Sequence, residues 1–237
     1  MAEYKTGCLV CGNNLVYCKT EELECFYCHN IYKSNVKCAS GHYVCDPCHR
    51  ASGNEVIENF CINTPLKDPL EISLILMGNS KITMHGPEHH FLVPAVLLAA
   101  YYNITKDPNE KESKIREARR RSSHILGGFC GFHGNCGAAV GTGIFMSLIT
   151  NSTPLSIHEW KLSNLMTARS LLTIAKHGGP RCCKRNVFLA IHEAIKFLNT
   201  HFDFTIKIDK KIRCGFTNMN KECIKQQCPF YAISEQN

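Results

Sequence analysis

The chain has 237 residues, 44% of them hydrophobic, with 27 Lys and Arg against 20 Asp and Glu for a net charge of +7. That size and apolar content allow a buried core in one large domain or in a small domain beside a medium one, and they exclude a disordered or fibrous chain. The longest apolar stretches, 91–101 and 137–149, are too short and too interrupted by Gly or Pro to span a bilayer, so no membrane association is expected.

Sixteen Cys are present, and the opening Met-Ala-Glu-Tyr-Lys has no apolar h-region, so a cytoplasmic setting is expected. There a disulfide framework is disfavoured, and Cys at short regular spacings reads as metal binding. Eight of the Cys fall in the first 48 residues, seven of them as Cys8-x2-Cys11, Cys25-x2-Cys28 and Cys38-x3-His42-x2-Cys45-x2-Cys48 and the eighth as Cys18. A C-x2-C knuckle brings two thiolates to one ion, and Zn²⁺ takes four N or S ligands in a tetrahedron, so residues 1–62 are expected to hold two closed zinc sites. Two pairings are open. A sequential, ribbon-like one joins Cys8, Cys11, Cys25 and Cys28, and then Cys38, His42, Cys45 and Cys48. A cross-brace instead joins Cys8, Cys11, Cys38 and His42 against Cys25, Cys28, Cys45 and Cys48. The run from Cys38 to Cys48 resembles the middle of RING-type cross-brace fingers, which favours the second; no further C-x2-C follows Cys48, so a ubiquitin-ligase role does not transfer. Cys18 and His29 are left over, and His49 is a substitute for Cys48. With every ligand from protein, both ions would be structural and would stabilise a segment poor in large apolar residues.

From Thr64 onward the period becomes helical, and residues 63–237 are expected to form a mainly α domain on which the double-zinc finger packs. Asp68-Pro69 opens a helix to Met77, Gly86-Pro87 a nearly all-apolar one through Tyr102, and Asp107-Pro108 a basic one to about Ile125. A Gly/Ala-rich helix runs from Asn135 to about Ile149. Ser156 caps a segment to about Lys176 that Gly178-Gly179-Pro180 ends, and Arg185 to Phe202 is amphipathic. Thr205–Ile208 alternates weakly, as an extended segment would.

Several clusters in this part bear on chemistry. His85, Glu88 and His89 at a helix start suit proton transfer or a metal, although Pro87 keeps His85 off the helix and rules out an H-E-x-x-H protease. Cys130 and Cys136 lie in a Gly-rich run whose backbone N–H groups would favour thiolate or a cluster, unless the glycines serve close helix packing. Cys182 and Cys183 are flanked by Arg181, Lys184 and Arg185, which also favours thiolate. An iron–sulfur cluster, a [4Fe–4S] centre with Cys130, Cys136 and Cys182 as ligands, or a redox dithiol, is the expected active centre. In the rival reading the chain is an accessory module, with Lys114–Arg121 gripping a partner and Cys182, Cys214, Cys223 and Cys228 holding a third zinc. RNA is a weaker partner, since few aromatics interleave with the basic residues.

The order Cys8-x2-Cys11-Gly12, Cys25-x2-Cys28, Gly41-His42-Tyr43-x-Cys45-Asp46-x-Cys48-His49, His85-Gly86-Pro87-Glu88-His89, Gly134-Asn135-Cys136-Gly137-Ala138-Ala139-x-Gly141 and Gly179-Pro180-Arg181-Cys182-Cys183-Lys184-Arg185 resembles an uncharacterised family of anaerobic bacteria and archaea. Members occur alone or fused to methyltransferases and near radical-SAM proteins, and the resemblance implies partners of those kinds. Cys136 to Gly141 is also similar to the redox-active family named for its C-GCAxxG-C-C pattern, though Gly and Ala follow the Cys here. Cys182 to Asn186 is similar to a cluster-ligand segment of iron–sulfur serine dehydratases, with Arg181 where that family has Pro; the similarity implies Cys182 as a ligand.

Overall fold

The computed structural model describes residues 7–202, 205–208 and 211–232. An antiparallel hairpin comes first, β1 (Leu15–Glu24) with β2 (Ile31–Cys38), paired from Leu15 opposite Cys38 to Glu24 opposite Ile31 with an irregularity between Tyr17 and Glu21. Almost all of β1 is exposed, so the hairpin buries too little to hold itself together, as two-stranded ribbons generally do. Its anchors are at its end: Cys25 follows β1 directly and Cys38 closes β2.

Nine α-helices follow among the described residues. The first, α1 (Asp46–Arg50), is a short turn carrying Cys48. Helix α2 (Gly53–Asn63) begins in a reciprocal capping box, in which Glu55 N donates to Ser52 Oγ at 3.4 Å and Ser52 N to Glu55 Oε2 at 2.7 Å. A helical pattern dated only from Thr64 passes over this one. The Ser-x-x-Glu ahead of Val56, Ile57 and Phe60 is its signature.

The next three starts agree with the expectation, because each is fixed by a local cap or Pro. In α3 (Pro69–Met77) Asp68 accepts from Leu70 N at 2.8 Å. Helix α4 (Glu88–Thr105) is buried on nearly every face, and α5 (Pro108–Ser122) starts after the Asp107 cap. After the single turn α6 (Phe129–Phe132) come α7 (Gly137–Ile149), α8 (His158–Lys176) and α9 (Cys183–His201). The expected starts of α7 and α9 shift by two residues here, and that of α8 by one. Cys136 and Cys182 are the residues before α7 and α9, and Ser156 does not cap α8 because its hydroxyl is spent on Thr153 N at 3.0 Å. Thr205–Ile208 forms no strand. Asn199 instead brackets Ile206, accepting from its N–H at 2.9 Å and donating to its carbonyl at 3.2 Å.

Helix α4 is the axis of the bundle, packed by α2, α3, α5, α7 and α9, while α7 is sandwiched between α4 and α8. The finger joins the same core: Tyr27, 1% exposed, and Phe26 both lie 6.4 Å from Phe60 of α2. No helix of the described residues is long and apolar enough to cross a membrane.

The Gly-rich character of α7 is a packing device. A Cβ on Gly141 would lie 2.8 Å from Pro94 Cδ and 3.0 Å from the His90 carbonyl of α4, and one on Gly143 would lie 2.0 Å from Thr167 Oγ1 of α8. Gly141→Val should therefore lower stability by about 1–3 kcal/mol through overpacking against backbone. Gly131→Ala, whose Cβ meets nothing within 4 Å, should change little. Denaturant midpoints of the two variants check this, and equal effects would remove the packing account.

Candidate functional site

Both knuckles of the finger use one backbone recipe. Cys8 N donates to Asn13 O and Gly12 N to Cys8 O, at 2.9 and 2.8 Å; Cys25 N donates to Asn30 O and His29 N to Cys25 O, both at 2.9 Å. The residue after the second Cys then has positive φ, +76° at Gly12 and +58° at His29, and only the first of these is a glycine suited to it. The ligand atoms fall into two groups, each drawn together within 4.8 Å: Cys8, Cys11, Cys38 and His42, and Cys25, Cys28, Cys45 and Cys48. This is the interleaved arrangement. Each group takes one knuckle before or within the hairpin turn and one pair from the Cys38–Cys48 run, so both groups can hold a metal ion. Sulfurs of Cys11 and Cys38, and of Cys28 and Cys45, are 3.8 Å apart, much longer than a disulfide at about 2.05 Å.

Electrostatics points the same way. Cys25 is pulled down to about 4, chiefly by the Cys48 thiol that donates to it, and Cys48 is pushed up in return. Cys11 is lowered to about 7, first by the backbone N–H of Asn13, whereas burial lifts Cys8 to about 11. Thiols this close share protons because they cannot all ionise alone, and a divalent cation removes that conflict. Outside the two groups, Cys18 reaches Glu21 at 3.4 Å and His29 Nδ1 reaches Glu24 at 2.6 Å; Cys48 is the ligand-position residue and His49 is not.

Of the remaining candidate residues, Glu88 and His89 stay together at the start of α4, with Glu88 Oε1 3.8 Å from His89 Nδ1. His85 Nε2 lies 3.2 Å from Asn220 Oδ1, while Glu88 accepts from Thr83 N at 2.9 Å. His89 is 1% exposed and its Nδ1 donates to Gly86 O at 3.1 Å. Burial, with Lys184 adding, pushes His89 down to about 3, so it stays neutral and is unsuited to carrying protons near neutrality. On α5 the cations are already paired: Arg116 with Glu58 and Glu112, Arg119 with Glu58, Arg120 and Arg121 with Glu117.

Cys130 and Cys136 line an open pocket with Arg181, Arg185 and Asn186, and Asn186 Nδ2 donates to Cys136 Sγ at 3.4 Å. Cys182 does not join them. It faces a second, smaller cavity whose walls also carry Cys214, Cys223 and Cys228, with Phe188, Phe216 and Phe230 around them. Backbone N–H groups of Arg185, Phe216 and Lys225 point at the sulfurs of Cys182, Cys214 and Cys223, each at 3.4 Å. The expectation that neighbouring cations depress the thiols of Cys182 and Cys183 is overturned. Burial outweighs Arg185 at Cys182 and lifts Cys183 to about 11, while Lys184 turns away to the carbonyls of Met77 and Ile82 at 2.9 and 3.2 Å.

Among known proteins, the model of one family, described as a family of unknown function (DUF5714), matches residues 57–231. That span holds both cavities and begins after the last ligand position of the finger. No curated protein and no solved structure matches.

Proposed function

The chain belongs to DUF5714, a family of unknown function, and from that premise we propose that it is a metalloprotein with two structural zinc ions in the finger and a separate cysteine centre, iron–sulfur or dithiol, in the helical domain. The observation that carries the zinc assignment is the ligand geometry. A tetrahedron with metal–sulfur bonds of about 2.3 Å has edges of about 3.8 Å, one sulfur pair in each group is 3.8 Å apart, and all ligand atoms of a group lie within 4.8 Å of one another. Three thiolates with one imidazole, and four thiolates, are ligand sets of closed sites with no position left for substrate. The finger therefore organises the chain's amino-terminal part and its seat on Phe60, and chemistry falls to the helical domain.

For that domain the support is the grouping of its cysteines around the start of α9, some on the wide pocket and some on the smaller cavity. Metal content per chain by element, on protein purified without air, tests the reading. Two zincs per chain that resist dialysis support it; a chain that folds with no zinc rejects it.

A further inference from the structure

We propose that Cys182, Cys214, Cys223 and Cys228 are the four ligands of a [4Fe–4S] cluster seated in the cavity they line at the start of α9. The proposal deepens the cysteine-centre part of the reading above and is independent of the zinc assignment. Four thiols from two segments, Cys182 at the start of α9 and Cys214, Cys223 and Cys228 near the end of the chain, converge on one cavity, an arrangement that chance burial of small apolar fillers does not call for. Their spacing differs from that in the finger. Among the described residues only the two finger groups have all ligand atoms within 4.8 Å of one another, and here a cavity separates the sulfurs instead. One ion draws its ligands to a common point, whereas a four-iron cube carries one thiolate at each iron and fills the space between them.

Charge is the second argument. Lys184 is fully buried and Arg185 is 4% exposed, yet neither forms an ion pair with a carboxylate among the described residues. Arg185 donates to the carbonyls of Gly178 and Pro180 at 2.7 and 3.0 Å, and its Nε has no hydrogen-bond partner. Lys184 Nζ lies 4.5 Å from the ring centre of Phe216, on the cavity wall. Buried cations call for a buried counter-charge. An oxidised [4Fe–4S] core with four thiolates is a dianion that would answer Arg185 on the cavity wall, with Lys184 a more distant cation behind the Phe216 ring and near Glu88. The three backbone N–H groups aimed at ligand sulfurs are the usual outer-shell support of such a centre, and Pro229 directly follows the last cysteine as in ferredoxin-type runs. Cys130 and Cys136 belong to the neighbouring pocket and are not ligands. With four cysteines engaged, no iron is left open for substrate, which sets this centre apart from the dehydratase pattern that the Cys182 segment resembles.

The test uses the full chain, reconstituted without air with ferrous iron and sulfide, with iron, sulfide and zinc counted in each sample. The expected result is about four iron and about four sulfide beyond the finger's zinc, with a broad visible band that bleaches on reduction by dithionite. Cys214→Ser and Cys228→Ser should each lower iron and sulfide roughly tenfold while zinc stays, and Cys130→Ser and Cys136→Ser should change neither. Retained zinc shows that the finger is intact, and an unchanged helical signal in circular dichroism shows that the bundle around the cavity has folded. If Cys214→Ser loses its helical signal, Cys223→Ser replaces it. A third zinc in place of iron and sulfide would overturn the proposal. So would undiminished cluster in the Cys214, Cys223 and Cys228 variants, or cluster loss in the Cys130 and Cys136 variants alone.

Discussion

Cys25→Ala, or chelation of the metal, should abolish the folded finger as a whole and leave the helical bundle standing. A structural zinc site in a finger peptide contributes on the order of 10–16 kcal/mol of apparent binding free energy near neutral pH. The segment has little else, since β1 is exposed along nearly all its length. The two groups interleave, so losing Cys25 from one frees Cys45 and Cys48 and slackens the run that supplies Cys38 and His42 to the other. Both ions should leave together. By contrast α4 is buried against α2, α3, α5, α7 and α9 and does not depend on the ions for its core. Limited proteolysis with zinc counting checks this: cleavage confined to residues 7–50, with the helical signal in circular dichroism largely kept, is the expected pattern. Cys18→Ala, at an exposed hairpin position, should be silent. A chelated chain whose amino-terminal part still resists protease would sink the account.

Acidification should destabilise the bundle through His89. In the unfolded chain its ring titrates at the ordinary value of 6.5, while burial holds it at about 3 in the fold. Between those values the unfolded state binds the proton and the folded state refuses it. The contribution is therefore complete above about pH 6.5 and is lost as pH falls towards 3, at about 1.4 kcal/mol per pH unit, or about 2 kcal/mol by pH 5. His89→Gln keeps a donor for the Gly86 carbonyl and cannot titrate. It should cost stability at pH 7 and flatten the decline between pH 7 and pH 5. His90 and His192, also held down by burial, leave a smaller slope of the same sign in both proteins, and acid loss of metal from the finger is common to both and cancels in the comparison. Denaturant midpoints at the two pH values decide, and parallel slopes would end the argument.

Local chemistry was readable from residues alone. Asp68-Pro69 and Asp107-Pro108 each put a capping carboxylate ahead of a favoured first-turn proline, and α3 and α5 start where they say. The metal-ligand positions of the finger were equally plain, because knuckle spacing is a local property. Their pairing was not, since spacing permits two partitions and only the hairpin's fold selects one. The glycines of α7 were ambiguous for a different reason. A glycine that admits an anion and a glycine that admits a neighbouring helix look alike until Pro94 and Thr167 are in place. Cys214, Cys223 and Cys228 form no knuckle with Cys182, so their meeting depends on how the last segment folds back over Phe188, where Phe230 packs at 5.2 Å.

The first turn of α9 is a partition. Arg185 borders the small chamber and the wide one beside it, with Cys182 on the small side and Asn186 on the wide side. A displacement of that turn would move a wall of both chambers at once, and if filling one displaces it, linkage requires that filling the other act back to the same degree.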